Sequence, residues 1–211
     1  MQNFDRLPAI PLIAEDPYFS VWLPGDLPND CTAVHWTGAE KPVSGFITVD
    51  GERYRFLGNG GEARAIVQGV TVTPTKTEFT YLAGGVSLKA AFRSCALPDD
   101  LDVLSTPITM ADFEIASEDG AAHKTQLSLS VSRRICFDGA TEPQIFSHSY
   151  RAGEMGVAYL GRSRQCILGH SADHITIDWG YFYMASSCPV SSSTHGAGFS
   201  WETEAGNEPK R

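Results

Sequence analysis

Two histidines four residues apart, His170 and His174, have a spacing that can bind a metal. Residues i and i+4 share one face of a helix, where two imidazoles can hold zinc together. Here Gly169 precedes the pair and the strand-like run ITID follows it, so the pair is not predicted to lie on a helix. We therefore expect polar histidines in a loop, and we predict neither a metal nor a cofactor.

A second cluster that could bind a cation consists of acidic residues behind Pro98, namely Asp99, Asp100 and Asp102. Carboxylate oxygens are calcium ligands, but this spacing differs from that of an EF-hand loop. Aspartate side chains also accept hydrogen bonds from nearby backbone amides in turns. We predict this structural role, and we keep Asp99 and Asp100 as candidates for a ligand or domain interface.

Covalent hydrolysis needs an activated serine, cysteine or threonine beside a base. The sequence contains no GxSxG motif, and its five cysteines are scattered without CxxC spacing. An odd number of cysteines cannot all pair within one chain, so buried free thiols are the simplest interpretation. The sequence therefore offers no catalytic residue that we can name.

Aromatic residues are concentrated in two regions, one within the first 36 residues and one at 179–183. Exposed rings can bind a sugar ring or a partner surface, although large aromatic side chains more often fill a core. The candidates for a ligand or domain interface are Tyr18, Trp22, His35, Trp36 and Trp179. Because the aromatic residues of the second region do not fall on a single alternating face, we predict a strand that is buried on both sides.

The elements that must position these residues are strands. Leu127, Leu129 and Val131 alternate with serines, and similar alternation recurs between turn residues along the chain. Helical periodicity is almost absent. This pattern predicts an all-β protein, a large antiparallel two-sheet sandwich of about ten to twelve strands.

Three dipeptides mark turns between apolar runs: residues 50–51, 84–85 and 119–120. Gly and Asp tolerate the positive φ of two-residue hairpin turns, so each dipeptide predicts a hairpin. Between residues 108 and 115 the apolar phase shifts from Ile108 to Phe113. We therefore expect a bulge near Ala111 or Asp112.

Charge narrows the range of partners. The net charge is −9 and the pI about 5.0, so the chain lacks a broad basic surface for nucleic acid or an anionic membrane. Neither partner is expected. Asp5 and Arg6 stand where a secretory signal would be apolar. We expect a cytoplasmic protein as written, or a secreted one if a leader has been removed.

The predicted organisation is a β-sandwich domain over residues 1–185, with residues 1–60 packing on or within it. Residues 186–211 begin with SSCPVSSS and end with charged residues, which is typical of a poorly ordered tail. We expect the sandwich to be truncated at its C-terminus.

Several long segments, taken in order, resemble the N-terminal sandwich region of glutaminase A-like proteins. The chain opens with LPAIPLIAEDPYFSVWLPGD, continues with HWTG and ITVDGERYRFLG, and later contains VTVTPTKTEF, LPDDLDVLSTPIT and CILGHSADHITIDWGYFYMA. The segments are long and order-specific, and they span most of the chain.

This resemblance implies a sandwich that precedes a helical six-hairpin toroid domain in full-length family members, which hydrolyse L-glutamine to L-glutamate and ammonia. The chain would then support the missing toroid, its partner, and have no activity alone. The layout is also similar to that of glycoside hydrolases, which is an analogy of fold only. The alternative is therefore a carbohydrate-binding or glycosidase-associated module with a small molecule or glycan as ligand.

Overall fold

The computed structural model describes residues 7–138, 142–169, 176–192 and 199–207. The chain is 54% strand and 5% helix, which confirms the all-β class. No helix in the described ranges has the length and apolar character needed to cross a membrane.

The described residues form sixteen strands, one short α-helix and one 3-10 helix. The strands are β1 (Ile10–Ala14), β2 (Ser20–Leu23), β3 (Val34–His35), β4 (Val43–Val49), β5 (Glu52–Leu57), β6 (Ala63–Arg64), β7 (Ile66–Thr73), β8 (Lys76–Ala83), β9 (Val86–Ser94), β10 (Thr109–Ser117), β11 (His123–Val131), β12 (Ile145–Ala152), β13 (Met155–Arg162), β14 (Tyr181–Ser186), β15 (Val190–Ser192) and β16 (Phe199–Asn207). The α-helix is α1 (Leu101–Ser105), and the 3-10 helix spans Arg133–Cys136.

These strands form four sheets within the described part of the chain. The largest has the order β15-β16-β11-β4-β5-β6, and the second has the order β10-β9-β8-β7. Two three-stranded sheets, β1-β2-β3 and β12-β13-β14, complete the fold. All strand pairs are antiparallel except β5 with β6.

The two large sheets face each other across an aromatic core. Phe56 on β5 lies 5.8 Å from Tyr81 on β8 and 6.0 Å from Phe113 on β10, measured between ring centroids. Gly45 on β4 makes room for Phe56, because an added Cβ would stand 2.3 Å from its ring. These contacts confirm the predicted sandwich.

Two of the three predicted hairpins are present. Asp50 and Gly51 have φ angles of 51° and 94° and join β4 to β5. Gly84 and Gly85 have φ angles of 54° and 84° and join β8 to β9. Positive φ at both central residues is the type I′ geometry that matches strand twist.

The hairpin predicted at Asp119 and Gly120 is wrong. β10 pairs with β9, whereas β11 pairs with β4 and β16, so residues 118–122 cross from one sheet to the other. The predicted bulge is also wrong, since the register of β9 and β10 runs unbroken from Thr109 to Ser117. The apolar phase changed because Met110 points to the outside, where it is 41% exposed.

The N-terminal strands contribute to the common core through Ile10, Leu12, Val21 and Leu23, all of which are buried. At the other end of the chain, β15 and β16 pair with each other, and β16 pairs with β11. These two strands lie in the segment for which the sequence predicts a tail. The division of the chain at residue 185 stays a prediction.

The β12-β13-β14 sheet is attached to this core by one of its faces. Ala158 and Leu160 on β13 are fully buried, and Phe182 on β14 packs edge-on against Phe19, with 5.8 Å between the ring centroids. The opposite face of the same sheet is directed to the outside, and it positions the side chains discussed below.

Candidate functional site

The first candidate surface is formed by Tyr18, His35, Trp36 and Trp179, here called the N-terminal aromatic cluster. The rings of Tyr18 and Trp179 pack edge-on with 5.0 Å between their centroids, and those of His35 and Trp36 are 5.3 Å apart. Both His35 and Trp36 bind the carbonyl oxygen of Pro17, at 3.0 and 2.7 Å. The fold therefore assembles four of the predicted site residues.

The side chain of His35 is buried, and its hydrogen bonds stabilise the surrounding loop. Burial lowers the pKa of its imidazole, so the ring is neutral at pH 7. The carbonyl of Pro17 can only accept a hydrogen bond, so Nε2 carries the proton and Nδ1 accepts from the Thr37 hydroxyl at 3.0 Å. Because both of its ring nitrogens form hydrogen bonds, His35 holds the loop in place. The side chain of the neighbouring Trp36 is 52% exposed.

Trp22, Asp99 and Asp100 lie elsewhere in the fold. Trp22 is half-buried on β2, and its indole donates to the Ser20 hydroxyl at 2.7 Å. Asp100 caps α1 by accepting a hydrogen bond from the Val103 amide at 3.1 Å, and Asp99 is exposed beside it. Both aspartates belong to the connection between β9 and β10. These three candidates for a ligand or domain interface therefore lie apart from the N-terminal aromatic cluster.

Among the described residues, no group of three or more His, Cys, Asp or Glu side chains could hold a metal ion. His170 and His174 lie outside the described residues.

Lys41 is a buried cation that connects several elements. Its Nζ donates to the carbonyl oxygens of Arg134 and Phe137, both at 2.8 Å, and to the Thr176 hydroxyl at 3.0 Å. Burial lowers its pKa to about 8. Three acceptors match the three ammonium protons, so Lys41 acts as a cross-link within the fold.

His123 fastens two chain turns to β11. Its Nδ1 lies 2.7 Å from an Asp50 carboxylate oxygen and its Nε2 lies 3.0 Å from Asp119. Both carboxylates can only accept, so the imidazole donates from both nitrogens and is protonated in this arrangement. Hydrogen bonds to Asp50 and Asp119 raise the pKa of His123 accordingly.

The second candidate surface was not predicted. Six aromatic side chains cover the outer face of the β12-β13-β14 sheet, here called the tyrosine face: Phe146, His148, Tyr150, Tyr159, Tyr181 and Tyr183. Tyr181 and Tyr183 are each 51% exposed and Tyr150 is 45% exposed. The strand β14 alternates between exposed and half-buried residues, so the prediction that it is buried on both sides is wrong.

The strand registers explain how these rings meet. His148, Tyr159 and Tyr183 are directly opposite one another on adjacent strands. Tyr159 and Tyr183 are stacked, with 4.8 Å between centroids and an interplanar angle of 18°. The available signal was aromatic spacing of two residues along β12 and again along β14, which places those rings on one face of each strand.

A cavity of about 410 Å³ adjoins this surface. Tyr150 and Val157, from the outer face of the β12-β13-β14 sheet, contribute to its lining, and Ser149 and Arg151, from the opposite face of β12, add polar groups. The Arg151 guanidinium also donates to the carbonyl oxygen of Glu154 at 3.1 Å. The polar groups of the cavity therefore lie on the other side of β12 from the aromatic rings.

Two family models match the chain. One, described as a domain of unknown function (DUF5127), matches residues 75–209, and another, described as a domain of unknown function (DUF4964), matches residues 2–68. The chain is also similar to Glutaminase A from Aspergillus oryzae, with 30% identity over 190 residues. This match covers 86% of the chain but only 27% of that protein. No solved structure matches the chain.

Proposed function

The chain belongs to the family described as a domain of unknown function (DUF5127), and from its similarity to Glutaminase A we propose that it is a non-catalytic N-terminal domain of a glutaminase A-like hydrolase. The observation that carries the proposal is the extent of the match. Most of this chain aligns with 27% of Glutaminase A, so most of that protein lies outside the aligned part. The chain would serve as an accessory domain to a larger catalytic part.

The contacts of the reactive side chains support this proposal. His35, Lys41 and His123 are each engaged in hydrogen bonds that hold the fold together. Burial raises the pKa of the Cys136 thiol to about 12, which disfavours the thiolate that a nucleophile needs. The contacts that position His35, Lys41 and His123 would hinder their use in a reaction, and the Cys136 thiol is not activated as a nucleophile.

We propose the helical toroid domain of the parent protein as the partner. This proposal is supported by an exposed apolar segment around α1. None of the residues of α1 is buried. Leu101 is 74% exposed, and Leu97 and Ile108 are also exposed. Contiguous exposed apolar side chains mark interaction sites on soluble domains. In the parent protein, this segment would lie against the toroid.

The test is an assay of ammonia release from L-glutamine by the purified chain, with Glutaminase A as the positive control. We expect no turnover above a blank without protein. Robust turnover that follows the chain through purification would contradict the accessory role.

A second candidate function is a carbohydrate-binding or glycosidase-associated module. The tyrosine face favours it, because aromatic rings with hydroxyl groups suit both the apolar and the polar sides of a sugar. Glycan binding and glutamine hydrolysis are measured independently, so each candidate can fail by itself.

A further inference from the structure

We propose that the tyrosine face is a binding site for a short neutral oligosaccharide. The proposal rests on the second candidate function and gives it a place on the molecule and a ligand class. It does not depend on whether the parent protein hydrolyses glutamine.

The chemistry of the face comes first. On the outer side of β12, β13 and β14 the residues are aromatic, or are the small or apolar residues Ala152, Met155, Val157, Gly161 and Ala185. None of these positions holds Asp, Glu, Lys or Arg. Rings offer the apolar contact that a pyranose needs, and tyrosine hydroxyls both donate and accept hydrogen bonds. An uncharged surface of this kind suits an uncharged ligand.

The size of the face favours a small ligand over a second copy of the chain. Three strands about 4.8 Å apart, with side chains of one face repeating about every 6.6 Å, span a patch of roughly 300 Å². A stable protein interface buries about 800 Å² on each partner. The tyrosine face alone is therefore too small to hold a dimer together, whereas it can accommodate a few sugar rings.

The face is also ordered in advance of binding. Tyr159 lies at its centre, with ring centroids 4.8 Å from Tyr183, 5.7 Å from His148 and 6.1 Å from Tyr181. Gly161 lets Tyr181 lie close to the backbone, since an added Cβ would stand 2.7 Å from the Tyr181 ring. Rings that are already packed lose little conformational freedom when a ligand binds, which favours affinity.

The experiment titrates the full chain with neutral hexasaccharides of glucose, mannose, xylose or N-acetylglucosamine by isothermal calorimetry. At least one should bind with a Kd below about 1 mM. Tyr183→Ala and, separately, the edge variant Tyr150→Ser should weaken binding about tenfold or more, which corresponds to the loss of one good ring contact. Tyr183→Phe keeps the ring and should bind more tightly than Tyr183→Ala.

Controls separate this site from other aromatic surfaces. Trp36→Ala removes the most exposed ring of the N-terminal aromatic cluster, and Lys89→Ala changes a different sheet, so both should bind as the unmodified chain does. Thermal unfolding of each variant verifies that it is folded.

Two kinds of result would overturn the proposal. One is the absence of binding to every hexasaccharide, or binding that Trp36→Ala abolishes while folded Tyr183→Ala and Tyr150→Ser retain it. The other is a dimer in sedimentation experiments that Tyr183→Ala dissociates, because the face would then hold a second copy. Neither result bears on glutamine hydrolysis, which is assayed separately.

Discussion

The outer faces of two sheets in this molecule differ in kind. On the β10-β9-β8-β7 sheet, outward positions carry opposite charges that pair along and across strands: Glu78 lies 2.9 Å from Lys76 on the same strand and 3.3 Å from Lys89 on β9, and Arg93 Nε lies 2.9 Å from the Asp112 carboxylate on β10. On the β12-β13-β14 sheet, the equivalent positions form the tyrosine face. The first surface is suited to water, and the second is the surface for which we propose a ligand.

The difference shows that strand alternation fixes only where side chains point. Both sheets direct apolar residues to the core, with Phe79 on β8 and Leu160 on β13 fully buried. What distinguishes them is the chemistry of the outward residues, since a solvated antiparallel sheet is ordinarily polar on that side. An outer face that is aromatic as well as exposed is therefore evidence of use, because burial in the core cannot account for it.

The largest expected effects are losses of stability, and they test whether the inner faces of the two sheets are equally well packed into the core. Phe79→Ala should lower the free energy of unfolding by about 3–5 kcal/mol and Leu160→Ala by about 2–5 kcal/mol, since each leaves a cavity in a packed core. Urea denaturation measures both values. Lys89→Ala, on the charged face, is the control and should change stability by less than about 0.5 kcal/mol.

A small loss of unfolding free energy for Leu160→Ala would contradict this comparison of the two sheets. It would mean that the β12-β13-β14 sheet is not integrated with the core, and its outer face could then have no fixed geometry.

The sequence was sufficient to predict the fold class, because the alternation of Leu127, Leu129 and Val131 with polar residues indicates a strand with one buried and one solvent-exposed face. The sequence was not sufficient to predict that the connection at Asp119 and Gly120 crosses between two sheets. Turn chemistry is local, so it predicts a change of direction but does not determine which strand becomes the neighbour.

The candidate site was predictable in part. Tyr18 and Trp179 were both named from the sequence, but their contact depends on tertiary packing between distant segments. The tyrosine face was missed because Tyr181, Phe182 and Tyr183 are aromatic in succession. When both phases of a strand are apolar, periodicity cannot tell the face that meets the core from the face that meets solvent.

An intermediate effect concerns Lys41, which links the loop before β4 to the 3-10 helix and to Thr176 near β14. Its pKa is about 8 in the folded chain and 10.5 when exposed. Between these values the unfolded chain binds more protons, so the contribution of Lys41 to stability rises with pH across that window. The rise amounts to about 3 kcal/mol, and the contribution is flat below pH 8.

The measurement compares urea unfolding of the unmodified chain and Lys41→Met from pH 7 to pH 10.5. Cys136 titrates in both proteins, so its effect largely cancels in the difference. Parallel stability curves would contradict a buried ammonium at this position. If the free energy of unfolding of the unmodified chain rises with pH relative to that of Lys41→Met, the link between the sandwich and the β12-β13-β14 sheet contains a desolvated charge.

The smallest effects separate the two outer faces directly, by double-mutant cycles on one pair from each. The exposed pair of Arg93 and Asp112 should couple by about 0.2–1 kcal/mol, because solvent screens it. The stacked pair of Tyr159 and Tyr183 should couple by about 0.5–1.5 kcal/mol. Raising salt to 1 M shortens the Debye length to about 3 Å, so it should weaken the first coupling and leave the second unchanged. Equal salt sensitivity in both pairs would contradict the assignment of one face to charge pairing and the other to aromatic packing.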